Sequence, residues 1–476
     1  MAAVWARAWR LRVSSTEHGG NTGGGSLQPT AGDRTDSGTT YTTSSSTICT
    51  TISDPVRDFH PFIVEEKIEE LCEDERVKQK LEHIKGLVVL FRKDNNSAPE
   101  RWLSELEVNW VLHLAHNSES GRSFISGQLL YLAKSWIEAL FEITKYISVY
   151  FGGHHGKEKG TDDVGSEFVR FVEATMSKML PFVDAIVAVR ISGRRGEPAD
   201  EKLQALILVR DAVSMASAQI LSSFSSSPCR VDYTGILLAK LDEAIWNTME
   251  ETKTGVMSSY SWGTPRSPDI HKGTLSVINC INVLWANYGT VNRILNDAFL
   301  RGEFGPEHEN VSHLTNLTIQ MVRSLEEMHT SNSQAFPDRS LEFLFLINNF
   351  PCILQQLQTN CRLGIHMPDL AGKIHDYVNS YVQVSWAPVS ECLRNPTPHC
   401  FTRRSPLARF ESKFQQTYTA QKLWKVPDPE MRKRLRKAIV EEVIPEFTEF
   451  LKDNSNRTPR VTPQEMKKLL NGLFEG

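Results

Sequence analysis

Leu423-Trp424-Lys425-Val426-Pro427-Asp428-Pro429-Glu430 sets the architecture, because it marks a helix start and the residues after it supply the helix. Asp428 is of the type that accepts the free N–H groups of a first turn, and Pro429 stands at N1, where a helix tolerates proline. Met431, Leu435, Ile439, Val443 and Phe447 then recur every four residues, which predicts one apolar helix face. Lys433, Arg434 and Lys437 fall on the opposite face, with Arg432 and Arg436 at its flank, and Glu441, Glu442, Glu446 and Glu449 follow. A helix dipole favours acids first and bases last, so helix stability does not account for this order.

The device repeats nearer the terminus. Thr462-Pro463-Gln464-Glu465 predicts an N-cap, an N1 proline and a capping-box glutamate at N3. Met466, Leu469, Leu470, Leu473 and Phe474 form an apolar stripe that needs a surface to lie on, so the last helix is expected to be docked.

Working backwards, the chain from about Asp58 is a succession of helical patterns. They run over Ile63–Phe91, Trp102–His116, Phe124–Phe151, Glu167–Val189, Glu201–Phe224, Tyr233–Met257, Gly273–Leu300, Asn310–Met328, Ser340–Leu357, Leu370–Leu393 and Leu407–Trp424. Alternating strand patterns with hairpin turns are absent, and no fixed repeat length appears. The expected fold class is all-α, built of stacked helices. Ser340–Leu357 is apolar nearly all round and should be the most buried helix. Its Asn348-Asn349 pair is expected to satisfy exposed carbonyls at a bend promoted by Pro351.

Composition narrows the function. Of 476 residues, 40% are hydrophobic, enough for a core, and no apolar run reaches the roughly 18 residues that cross a bilayer. Any membrane contact is expected to be peripheral. The eight cysteines lack C-x-x-C pairs, which favours reduced thiols in a cytosolic protein over a zinc site from Cys392, His399 and Cys400. His154-His155 reads as a solvated turn. No phosphate-binding, dinucleotide, zincin or hydrolase motif is present, so neither a cofactor nor catalysis is expected. Residues 14–51 are Gly, Ser or Thr at 25 of 38 positions, so 1–58 reads as a disordered leader. Its first 13 residues carry three arginines and no acid; a dispensable leader is favoured over an organelle transit peptide.

The formal net charge of −4 hides segregation. Arg394–Lys437 holds 12 bases against 3 acids, whereas Pro61–Glu82 holds 8 acids against 4 bases. Such a field can orient a protein on an anionic surface. Between Pro427 and Gly476, however, ten bases meet nine acids. Three readings of the basic block follow: contact with anionic phospholipid, a plain solvated helix face, or docking of an acidic partner. Nucleic acid is disfavoured, because stacking aromatics are not interleaved with the bases.

Phe414 through Trp424, Val426-Pro427-Asp428-Pro429, Val443-Ile444-Pro445 and Leu473-Phe474-Glu475-Gly476 resemble the Exo-seventy family, the seventy-kilodalton subunit of the exocyst. Leu344-Phe345-Leu346-Ile347-Asn348-Asn349, Tyr381 through Trp386 and the Leu275–Leu295 helix agree, and the plant branch is the nearer likeness. The resemblance runs from about His60 to the end. It implies an elongated rod of stacked antiparallel helical bundles over 59–476, with a basic C-terminal bundle at about 394–476. It also implies a non-enzymatic, cytoplasmic protein that tethers secretory vesicles to the plasma membrane in exocytosis. Implied partners are other exocyst subunits, phosphoinositide, and small GTPases or immune regulators. Arg457 and Arg460 occupy the family's paired-lysine positions before the last helix, with Thr458 and Val461 in place of its aromatic residues. The candidate lipid-binding residues are Arg432, Lys433, Arg434, Arg436, Lys437, Lys452, Arg457, Arg460, Lys467 and Lys468. The family's long N-terminal coiled coil has one modest counterpart here, Ile63–Phe91. The alternative is therefore a divergent plant paralogue, an adaptor in defence or specialised trafficking without full exocyst assembly.

Overall fold

Short-range capping chemistry fixes several helix starts in the computed structural model. Its described residues are 74–94, 97–114, 128–152, 162–191, 198–223, 233–257, 265–305, 310–360, 368–394 and 405–476. All ordered elements of length among them are helices. The β-type pairing is confined to isolated bridges, such as that between Lys425 and Glu475. The all-α class is as expected. The leader expected over 1–58 and the His154-His155 turn lie outside the described residues, as do His399 and Cys400.

Contacts divide the described residues into two units, one taking those up to Arg190 and Glu201–Ile245, the other Ile191–Asp200 and those from Trp246 on. The first begins with α1 (Glu75–Phe91), α2 (Ser97–Glu105), α3 (Val111–Leu114), α4 (Leu129–Gly152), α5 (Asp162–Met179), α6 (Pro181–Ala188) and α7 (Ala199–Ser223). The division falls inside α8 (Tyr233–Met257), and it also leaves the first two residues of α7 with the other unit. In the first unit, α1, α2 and α3 pack against α5. Phe171 of α5 is buried under Trp102, stacked at 5.2 Å, and Phe91, edge-on at 5.6 Å. Such ring pairs add about 0.5–1.5 kcal/mol beyond their burial.

The second unit continues with α9 (Lys272–Ala286), α10 (Tyr288–Leu300), α11 (His313–Ser333), α12 (Arg339–Asn360), α13 (Pro368–Ser385), α14 (Ala387–Arg394), α15 (Pro406–Gln421), α16 (Pro429–Asp453) and α17 (Pro463–Leu470). As expected, α12 is central: α9, α11 and α13 all pack on it, and Leu344 to Phe350 are buried without a break. Its asparagines reach further than a bend. Asn348 donates to Pro268 O (2.7 Å) and Lys425 O (3.1 Å), and Asn349 donates to Asp269 O (3.2 Å) and Phe345 O (2.8 Å). The Asn349 carbonyl accepts from His271 N (2.8 Å) and Thr274 Oγ1 (2.7 Å). The pair thus pins two loop segments to α12, and only Phe345 O belongs to the helix itself.

That network has one further member. Thr274 Oγ1 spends its proton on Asn349, so it accepts from His329 Nε2 at 2.7 Å. This leaves Nδ1 of the fully buried His329 as a bare acceptor without a partner. Burial, with the neighbouring His271 adding to it, pushes the His329 pKa down to about 3.

Four expected helices are each broken in two. Trp102–His116 ends early because Glu107 adopts φ 60°. There Val108 N bonds Leu103 O (2.9 Å) and Glu107 N bonds Ser104 O (3.1 Å), while Leu103 and Val108 are buried, which is a Schellman stop with glutamate in the glycine position. Glu167–Val189 breaks at Pro181, which becomes N1 of α6. Gly273–Leu300 breaks at Asn287, whose backbone leaves helical values. Leu370–Leu393 breaks at Trp386, two residues before Pro388, which has no N–H for the carbonyl four residues back.

Candidate functional site

Both predicted caps at the C-terminal end form. The Asp428 carboxylate accepts from Met431 N at 2.6 Å. Thr462 and Glu465 make the reciprocal capping box, Glu465 N to Thr462 Oγ1 at 3.2 Å and Thr462 N to Glu465 Oε2 at 2.9 Å. All five stripe residues of α16 are buried, four of them completely, each a side chain whose burial is worth roughly 1.5–3 kcal/mol. The α16 stripe meets α13, α14 and α17. Phe410 of α15 stacks on Phe447 at 4.7 Å. Gln421 closes the bundle interior, its amide oxygen accepting from Tyr381 Oη (2.6 Å) and Trp386 Nε1 (3.0 Å). The second stripe is docked as expected, with Met466, Leu470, Leu473 and Phe474 buried.

Beyond α17 the chain turns back onto the start of α16. Phe474 takes φ 64° with its ring buried, Val426 N bonds Phe474 O at 3.2 Å, and Lys425 pairs with Glu475. Arg432 and Arg436 clamp this segment. Arg432 ion-pairs with Glu475 through Nη1 and donates Nε to Val426 O at 3.1 Å. Arg436 donates Nε to Leu473 O at 2.8 Å and ion-pairs with Glu475 at 2.6 Å. Their side chains are 20% and 17% exposed, against 74% for Lys437. The Arg436 hydrogen bond, with the Arg432 charge adding, holds the Glu475 carboxyl below the usual carboxylate range. These two arginines therefore serve the fold first. No local pattern signals that role, since Glu475 lies about forty positions away.

The remaining eight candidates fall into separate places. Arg434 donates to His375 Nδ1 of α13 at 2.9 Å. Lys433 and Lys437 of α16 and Lys467 of α17 line an open groove of about 570 Å³, together with Arg436, Val440, Glu441 and Asn471. Lys437 and Glu441 lie 3.7 Å apart, both well exposed. Lys452, Arg457 and Arg460 stand at the opposite end of α16, exposed, with Arg460 3.7 Å from Glu411. Lys468 is exposed on α17. Lys437 and Lys452 are fifteen positions apart on one helix, about 22 Å along its axis. That is more than twice the Debye length of about 8 Å at physiological salt, so the groove and the far end act as two cationic groups rather than one patch. Arg394, at the start of the basic count, is held by Glu446 at 2.6 Å.

Other chemistry is sparse among the described residues. They contain no group of three His, Cys, Asp or Glu side chains able to hold a metal, and no helix long and apolar enough to cross a membrane. Cys280 and Cys352 are buried cysteines, and burial raises the pKa of Cys280.

Residues 145–472 match the family defined by the C-terminal region of the Exo70 exocyst complex subunit. Among curated relatives, exocyst complex component EXO70A1 of Arabidopsis thaliana is 24% identical over 67% of this chain and 53% of its own length. EXO70A3 of the same plant is 23% identical over 53% of this chain and 46% of its own length, and EXO70B2 is 24% identical over 60% and 46%. The chain thus spans about half the length of the curated relatives it matches. A solved Saccharomyces cerevisiae exocyst component, Exo70p, aligns over 87% of this chain and 85% of its own, at 12% identity and a TM-score of 0.39. Another structure of the yeast protein gives 11% and 0.40 over 83% and 80%. The family assignment rests on the sequence match.

Proposed function

The chain belongs to the Exo70 exocyst subunit family, and on that premise we propose that it is a non-enzymatic component or relative of the exocyst that holds anionic membrane peripherally during exocytosis. Its partners would be the other exocyst subunits, with small GTPases or immune regulators as further ones. The C-terminal bundle would make the membrane contact, with a phosphoinositide-rich leaflet as its preferred surface. The single observation that carries this part is the far end of α16: Lys452, Arg457 and Arg460 are each exposed between the end of α16 and the start of α17, and among the described residues Arg460 alone of the three has an acid within ion-pair reach, Glu411 at 3.7 Å. Each cation near an anionic leaflet contributes about 1 kcal/mol, so three give useful but salt-sensitive and reversible adsorption.

Vesicle flotation tests the proposal. The full chain is expected to float with phosphoinositide-containing vesicles at low salt and to be released at high salt. Failure to float at low salt contradicts the membrane role. Co-purification separates exocyst component from free-standing adaptor: recovery with several other subunits supports the first, and recovery of none supports the second.

A further inference from the structure

Resting on the proposed membrane role, we propose that Thr458 is a modification site for a proline-directed protein kinase, and that a phosphate there switches off the cationic end of α16. Among the described residues a serine or threonine precedes proline at Ser267, Ser405, Thr458 and Thr462. Three of these hydroxyls are committed to the fold. Ser267 Oγ donates to the Asp269 carboxylate at 2.6 Å, Ser405 Oγ accepts from Ala408 N at 3.2 Å, and Thr462 Oγ1 accepts from Glu465 N at 3.2 Å. Thr458 is exposed, and its hydroxyl makes no hydrogen bond among the described residues.

The local backbone presents that hydroxyl. Residues 457–459 carry neither helix nor turn, and Pro459 biases the residue before it toward extended values, the shape in which a kinase cleft takes up a substrate segment. Backbone bonds tie the segment on both sides, Arg457 N to Asn454 O at 2.9 Å and Arg460 N to the Glu411 carboxylate at 2.7 Å. In the transfer, Thr458 Oγ1 attacks the terminal phosphorus of a nucleoside triphosphate brought by the kinase. The Oγ1–P bond forms, the bond from that phosphorus to its bridging oxygen breaks, and the nucleoside diphosphate leaves. The hydroxyl proton passes to the catalytic aspartate of the kinase. The product carries about −1.5 to −2 charge at neutral pH. Arg457 directly precedes it and Arg460 follows two positions later, and a guanidinium pairs with phosphate through two parallel hydrogen bonds. The Arg460 side chain is 89% exposed and 3.7 Å from Glu411, a weak pair that exchanges readily for the phosphate. Two of the three cations at this end are thereby cancelled, which leaves Lys452 to face an anionic leaflet beside a new negative charge.

The test treats the full chain with a recombinant mitogen-activated protein kinase and ATP, locates the phosphate by peptide mass spectrometry, and measures affinity for phosphoinositide vesicles at low salt. Phosphate is expected on Thr458, with affinity about thirtyfold weaker, and phosphatase treatment should restore it. Thr458→Ala should bind vesicles as the untreated chain does and should not respond to the kinase. Modification elsewhere in the chain is common to both proteins, so the difference between them reads Thr458 alone. Pro459→Ala keeps the hydroxyl and should lose incorporation at Thr458, which separates a proline-directed kinase from other kinases. Thr458→Glu adds one charge and should weaken binding about fivefold. An unchanged thermal transition shows that each variant is folded. Absence of phosphate at Thr458 overturns the inference, and so does a chain that binds vesicles equally well with and without it. In both cases adsorption by the untreated chain leaves the membrane role standing. An untreated chain that fails to bind overturns that role and the switch together.

Discussion

Replacing His329 by glutamine should flatten the acid dependence of this protein's stability. In the native state His329 donates from Nε2 to Thr274 and keeps Nδ1 bare in the core, so a second proton has no acceptor to meet. Its pKa is about 3 folded, against an ordinary 6.5 unfolded. The sign follows from proton counting: below pH 6.5 the unfolded chain takes up a proton that the folded chain refuses, so stability is full above 6.5 and falls as pH drops toward 3. Between pH 7.5 and 5.0 this one residue removes about 2 kcal/mol, and the fall reached by pH 3 is about 4 kcal/mol. Urea unfolding of wild type and His329→Gln at both pH values reads the effect as a double difference, in which groups common to both proteins cancel. The glutamine amide keeps a donor toward Thr274 but cannot titrate. The variant is expected to be less stable at pH 7.5, by about 1–3 kcal/mol from altered packing and hydrogen bonding. Its further loss on going to pH 5.0 should be smaller than the wild type's by about 2 kcal/mol. Equal losses in the two proteins would refute the account of His329 as a neutral buried acceptor.

Two other perturbations address the C-terminal clamp and its helix. Glu475→Gln should lower the melting temperature at neutral pH, because the depressed carboxyl pKa stabilises the fold above the ordinary carboxylate range and loses that effect as pH falls through it. Melting curves at pH 7 and pH 3 check this, and the gap between variant and wild type should close at the lower pH. Asp428→Ala removes the acceptor for Met431 N and should cost about 1 kcal/mol in urea unfolding, with Asp428→Asn recovering most of it.

What could be read from the chain was what is encoded within a few residues. Asp428-Pro429 and Thr462-Pro463-Gln464-Glu465 carry their caps in their own side chains, and a period of four placed Met431 to Phe447 on one buried face. Pro181 and Pro388 were visible signals for breaks that apolar periodicity ran across, since the stripe continues on both sides. Glu107 offered no such signal: its left-handed backbone is held by Val108 docking into the core against helix propensity. The candidate site was harder because its deciding contacts are tertiary. Arg432 and Arg436 look like their neighbours Lys433 and Lys437 in sequence, and only the returning Glu475 sets the clamped arginines apart from the exposed Lys437. In the same way, the partners of Asn348 and Asn349 lie almost eighty positions away, so a local bend was the simpler expectation. A count of charges could not show that Lys467 faces Lys433 and Lys437 while Arg457 does not.

The most direct test of the proposed membrane role is the affinity of the full chain for phosphoinositide vesicles, compared with that of the Lys452→Ala, Arg457→Ala, Arg460→Ala triple variant across a salt series. The account predicts about a hundredfold loss at low salt, from about 1 kcal/mol per cation, and a shallower salt dependence in the variant. Equal affinities and parallel salt curves would contradict it.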